Sequence, residues 1–218
     1  MIAMSDARES ILERIQSALG HGRGTAEDPA VRYAAISRTY IRAGRLDPET
    51  RLSVFKDRLR DYDAHVVDTS SALLSDTVDS ILRSNKQMKI ITADGLAPEA
   101  LPQGFDFLPE CEADINDLNN CDGVITTCSV AIAATGTIVL THGPGEGARR
   151  LTLLPDRHLC IVRAEQIVET VPEAFDQLAQ SPTHTLTFIS GPSATADIEM
   201  TRVRGVHGPR FLDVVLVK

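Results

Sequence analysis

No C-x-x-C pair occurs among the four cysteines of this 218-residue chain, Cys111, Cys121, Cys128 and Cys160. Their scatter excludes a disulfide framework and the ligand runs of zinc or iron–sulfur sites, leaving small buried hydrophobes or a reactive thiol. Basic residues are not in excess either. Against 30 Asp and Glu stand 22 Lys and Arg, a formal net charge of −8, so nucleic acid and anionic membrane surfaces are repelled on average. No apolar run reaches the ~20 residues that a spanning helix needs. The opening "MIAMSDARESILERI" lacks the basic start and apolar stretch of a secretory signal, and the expected location is cytoplasmic. No H-E-x-x-H pair occurs among the six histidines, so no metal site is expected and no cofactor is evident in the chain. Repeats and low-complexity tracts are also missing. What remains, 43% hydrophobic and 24% charged residues, is the balance of one globular domain with a small appendage.

Residues 1–46 form that appendage. Asp6 followed by Glu9 resembles a helix start, and Ile11, Leu12, Ile15 and Leu19 fall on one face until Gly20. Residues 21–48 have glycine and proline at both edges and no sustained core pattern, and read as a linker or clamp. The body, residues 47–218, opens on Asp47 as a helix cap with Pro48 in the first turn and Leu52, Phe55 and Leu59 as the buried stripe. Strands at "AHVV", "MKIIT", "GVITT", "TIVLT", "HLCIV" and "TLTFI" then alternate with helical patterns, among them Leu74, Val78, Ile81 and Leu82, then "DINDLNN" and "VPEAFDQLAQ". This alternation predicts an α/β fold, a mostly parallel twisted sheet with helices on both faces and an N-terminal helical extension.

In such sheets ligands collect beyond the carboxyl ends of the strands, and three loops qualify. The first, "TTCSVAIAATGT", carries Thr126, Thr127, Ser129, Thr135 and Gly136, and a helix starting near Ser129 would aim its positive end at an anion. Close packing of a short helix on the sheet explains the same small residues. The second, "THGPGEGARR", has Gly143, Gly145 and Gly147 around Pro144 as a concavity of amides, followed by Arg149 and Arg150. It matches neither G-x-G-x-x-G nor a P-loop, and a surface loop with solvated arginines is the plainer reading. The third, "ISGPSATADIEM", puts Gly191, Ser193 and Thr195 after a strand, as an anion-holding turn requires. Asp197 and Glu199 in that loop, and His207 in "GVHGP", are the candidate acid and base, although pairing of the carboxylates with Arg202 and Arg204 and a structural role for His207 stay open.

"AIAATGTIVL", "GPSATADIEM" and "GVHGP" together give the chain its resemblance to the LUD-domain family, most closely the lactate-utilisation protein C branch, from about residue 49 to the C-terminus. The resemblance implies a fold similar to the ribose-phosphate isomerase, glucosamine-phosphate deaminase and CoA-transferase group. It further implies a component of a system oxidising L-lactate to pyruvate with iron–sulfur partner proteins, which would hold the clusters. Where many members carry a glutamate in an "A-E-T/S-G-T" stretch, this chain has Ala134, which argues against covalent CoA-transferase chemistry.

Three functions follow. In the first, a subunit of an L-lactate oxidation complex binds a small organic anion or anionic cofactor at strand ends. In the second, a stand-alone isomerase or transferase acts on a sugar phosphate or acyl-CoA. In the third, a non-catalytic module grips an iron–sulfur partner through the first helix and the 21–48 segment.

Overall fold

The computed structural model describes residues 3–18, 28–179, 185–195, 203–205 and 207–218. Contacts divide the chain between Tyr40 and Ile41 into two compact units. The first holds helix α1 (Ala3–Ala18) and helix α2 (Pro29–Ala34). Helix α1 begins ahead of Asp6, so Asp6 is not its cap. Ile11, Leu12 and Ile15 of the apolar stripe are exposed, and Leu19 and Gly20 lie outside the described residues. Within the expected linker, Asp28 caps α2 by accepting the Ala30 amide at 2.9 Å, and Pro29 fills the first turn.

The second unit runs from Ile41 to Lys218. Residues 41–46, part of the expected linker, are held on it by two carboxylates. Glu173 Oε1 accepts the Gly44 amide at 2.9 Å, and Glu169 Oε2 accepts those of Arg45 and Leu46 at 2.6 Å each. Asp47 then caps helix α3 (Pro48–Asp61), accepting the amides of Glu49 and Thr50 at 3.0 Å. Strand β1 (His65–Thr69), helix α4 (Leu74–Ser84), strand β2 (Lys89–Thr92), strand β3 (Asp106–Pro109) and helix α5 (Ile115–Asn120) follow. Next come β4 (Gly123–Thr126), β5 (Val130–Ile132), β6 (Thr137–Leu140), β7 (Arg157–Arg163), β8 (Ile167–Val168) and helix α6 (Val171–Leu178). The chain closes with β9 (Thr187–Ile189), the short pair β10 (Ala194–Thr195) and β11 (Val203–Arg204), and β12 (Phe211–Val217).

Six of these strands form a wholly parallel sheet in the order β1-β12-β7-β4-β2-β3. Alternation along β7 and β12 splits the core. Leu159, Ile161, Val215 and Val217 face the apolar stripe of α4, while Cys160, Val162, Val214 and Leu216 face Phe55 and Leu59 of α3. Leu118 of α5 covers Ile91 and Val124 beside them. Each of these side chains is almost wholly buried, and each valine, leucine, isoleucine and phenylalanine among them gains about 1.5–3 kcal/mol before chain entropy is counted.

A second sheet, β8-β5-β6-β9, packs over the α3 side and is mixed rather than parallel. Helix α6 covers its outer face through Ala174 and Leu178. Here the sequence expectation fails at one point. Ser129 opens no helix, because Val130–Ile132 pairs antiparallel with β6 and the turn closes at Gly136, whose φ is +58°. The alanines that suggested helix instead allow a tight hairpin, and pairing between strands overrides local propensity.

Candidate functional site

In the central sheet the chain leaves β2 toward β3 on one side, whereas after β4 it returns toward β7 on the other. The gap between the carboxyl ends of β2 and β4 is therefore the topological switch point. The glycine-rich loop after β6 crosses it. Gly145 donates its amide to the Asp94 carbonyl at 2.6 Å and accepts the Thr127 amide at 2.6 Å, bridging the loops that follow both strands. Only glycine serves at this crossing, since φ is +81° and a Cβ would stand 2.7 Å from Thr127 Oγ1.

A carboxylate pins this loop from inside. Glu146 is 6% exposed, and its Oε2 accepts the amides of Thr141 (2.5 Å) and His142 (3.1 Å) and the Thr141 hydroxyl (3.2 Å). Ser129 donates to Oε1 at 2.5 Å, so Ser129 supports the loop rather than opening onto a helix terminus. Two cavities flank the loop, with Pro144 on the wall of each. One of about 470 Å³ is lined by Leu96, Thr127, Cys128, Ile161 and Arg163 among others. The other, about 630 Å³, is lined by Asp94, Glu110, His142, Gly143 and Arg149 among others. Glu110 is itself buried, accepting the Ala148 amide at 3.1 Å and pairing with Arg150 Nε at 3.3 Å.

The third sequence loop lies elsewhere. Ser190, Gly191 and Ser193 follow β9, and with His207, Gly208 and Pro209 they wall a crevice of about 250 Å³ whose floor includes His158 and Leu212, near the amino ends of β7 and β12. Gly191 adopts φ +87°, and a Cβ there would lie 2.5 Å from that of Tyr62, so both the backbone and the space call for glycine. Ser193 is clasped by its neighbours. Its amide donates to Pro209 O and its carbonyl accepts from Gly205 N, both at 2.8 Å, and its hydroxyl accepts the His207 amide at 3.1 Å. Thr195 sits in β10 opposite Val203. Asp197 and Glu199 lie outside the described residues.

Arg149 joins the crevice to the larger cavity, since it lines both. Its Nη1 donates to the carbonyl and hydroxyl of Thr152 at 3.1 and 3.0 Å, which fixes the guanidinium. Nε and Nη2 have no protein acceptor among the described residues. Both arginines are exposed, as the plainer sequence reading has it, with Arg149 also on the wall of both cavities and Arg150 paired with Glu110.

Other sequence candidates do not join this group. Thr126 is sealed in the core, 2.8 Å from His158 Nε2, and burial pushes the His158 imidazole down to about 4. Thr135 and Gly136 mark the hairpin tip, where Thr135 Oγ1 meets Thr137 Oγ1 at 2.7 Å and Gly136 abuts the backbone of Arg58. Contact with Cys160 and burial push the Cys128 thiol well above its ordinary value, so it is no ready nucleophile.

Sequence reading missed His142 and Thr187. His142, at φ +60°, places Nδ1 2.7 Å from the Gly147 carbonyl and Nε2 2.8 Å from Thr187 Oγ1. A carbonyl only accepts, so Nδ1 carries hydrogen. The one local signal was a histidine amid glycines in "THGPGEG".

Comparison with known proteins agrees with this architecture. Lactate utilization protein C of Deinococcus radiodurans is 38% identical over 216 residues, covering 98% of this chain and 96% of that protein. The protein of the same name from Bacillus subtilis (strain 168) is 29% identical, covering 96% and 95%. The crystal structure of a DUF162 family protein from Deinococcus radiodurans superposes with a TM-score of 0.69 at 35% identity, covering 80% of this chain and all of that one. The family model of the LUD domain matches residues 52–217. The chain belongs to the LUD domain family.

Proposed function

We propose that this chain is a cytoplasmic component of a lactate-utilisation system and that its crevice holds a small organic anion, a 2-hydroxy or 2-oxo carboxylate. The observation that carries this reading is the meeting of Arg149, Ser193 and His207, from three separate stretches of chain, around about 250 Å³. That volume suits a three-carbon acid and falls below the range of drug-sized ligands. Among the described residues only Nη1 of this guanidinium is engaged, and its other nitrogens can offer a carboxylate paired donors. The Ser193 hydroxyl adds a neutral donor, and the His207 side chain stands on the same wall. The names of the relatives support lactate as the metabolic context.

In this reading L-lactate is oxidised to pyruvate by the system as a whole. The electrons leave through iron–sulfur partner proteins, a reading supported by the chain's own cysteines not gathering as a ligand set: Cys111 is exposed, Cys121 half-buried, and Cys128 and Cys160 lie in the core. The test is reconstitution of L-lactate oxidation from purified iron–sulfur partners with and without this chain. Loss of turnover on omission is expected, and an undiminished rate without the chain overturns the assignment.

A further inference from the structure

Thr187 and His142 connect two cavities. Thr187 stands on the wall of the small crevice and His142 on that of the larger cavity, with the hydroxyl and Nε2 2.8 Å apart. The ring cannot turn freely, since Nδ1 is held by the Gly147 carbonyl at 2.7 Å. His142 keeps this pose with a left-handed backbone, φ +60°, which is uncommon outside glycine and recurs at working sites.

We propose that His142 sets the hydrogen-bonding sense of the Thr187 hydroxyl, and through it whether the crevice favours a 2-hydroxy acid or a 2-oxo acid. The inference rests on the crevice being a small-carboxylate site. With Nδ1 protonated and the ring neutral, Nε2 is a bare lone pair and takes the hydrogen of the Thr187 hydroxyl. The threonine oxygen then offers the crevice only lone pairs, which suit the O–H of a 2-hydroxy acid. Once Nε2 also carries a proton, it donates to Thr187 Oγ1. The threonine hydrogen is released toward the crevice, where it suits the carbonyl oxygen of a 2-oxo acid. A single proton on the ring exchanges acceptor for donor with the backbone unmoved.

Several charged groups surround the ring. Glu146 accepts its backbone amide at 3.1 Å, and Asp94, Glu110 and Arg149 line the same cavity, Glu110 being paired with Arg150. His158 lies on the crevice side.

The test is calorimetric titration of the full-length chain with pyruvate and with L-lactate, in buffers of different ionisation enthalpy, over the span of about pH 5 to 8 in which imidazoles change charge. Pyruvate binding is expected to take up a proton, and the pyruvate-to-lactate affinity ratio to fall by roughly three- to tenfold as pH rises, within the limit of one linked proton. Thr187→Ser should keep this slope, whereas Thr187→Val and His142→Asn, which lack the hydroxyl and the titrating ring, should each flatten it. If both acids bind and the ratio is flat in the native chain, or equally sloped in both variants, the inference is overturned while the crevice assignment stands. If neither acid binds, the crevice assignment falls and takes the inference with it.

Discussion

Ser193 and His207, fourteen positions apart, are tied by a hydrogen bond of 3.1 Å from the backbone amide of one to the hydroxyl of the other. That hydroxyl oxygen accepts from the main chain, so its own hydrogen is left to be given to a ligand. The bond also closes the loop after β9 onto the segment before β12, which makes Ser193 both a strut and a candidate ligand contact.

Ser193→Ala separates these roles. The strut is one ordinary hydrogen bond, so chemical denaturation should show a loss of about 1 kcal/mol. Anion affinity should fall by roughly tenfold, as expected for one lost hydrogen bond of about 1.4 kcal/mol to a charged ligand. Unchanged affinity in a folded variant would remove this loop from the site.

Acid should weaken the fold through His158. Its pKa is about 4 in the folded chain against 6.5 as the ordinary value, so the unfolded state binds a proton first as pH falls. The stability contribution is complete above pH 6.5, is lost as pH falls to about 4 and then levels off, amounting to about 3 kcal/mol. His158→Gln keeps a polar partner for Thr126 but does not titrate. The difference between native and variant unfolding free energies across that interval measures the effect, and parallel curves would contradict it.

Glu146 should be worth more than its single charge suggests. Glu146→Ala leaves the amides of Thr141 and His142 without their acceptor in a buried place, and a loss of about 3 kcal/mol is expected. Glu146→Gln retains one acceptor oxygen and should cost less. Equal unfolding midpoints for the native chain and Glu146→Ala would show that the loop is not pinned from inside.

Gly145→Ala tests the wedge across the switch point. Positive φ and the Thr127 contact both penalise a methyl group, for a loss of about 2 kcal/mol. Thermal unfolding reads this directly, and an unchanged midpoint would mean that the loop shifts without cost.

Much of the frame was legible because it rests on local rules. Asp47 and Pro48 announce α3, and the spacing of Leu74, Val78, Ile81 and Leu82 announces α4 with its buried face. Strand β3 escaped notice because four residues between Gly104 and Glu110 carry too little periodicity to register. Strand β5 was mistaken for a helix start because its identity depends on a partner strand.

The site was legible only as separate pieces. Gly191, Ser193 and His207 do share a wall, but Thr126, Thr135 and Gly136 go to the core and to a hairpin tip, where the same small residues serve packing. Arg149 reads as a solvated charge and is exposed, but only the fold sets it on the wall of the crevice. The His142–Thr187 bond spans 45 positions and has no sequence signature at all.

The most direct measurement is the titration of pyruvate into the native chain and into Arg149→Gln, with folding of the variant verified by its unfolding curve. Saturable binding by the native chain, weakened about tenfold or more by loss of a charged hydrogen-bonding partner, is the predicted result. Equal affinity in the two proteins, or no binding by the native chain, would contradict the account.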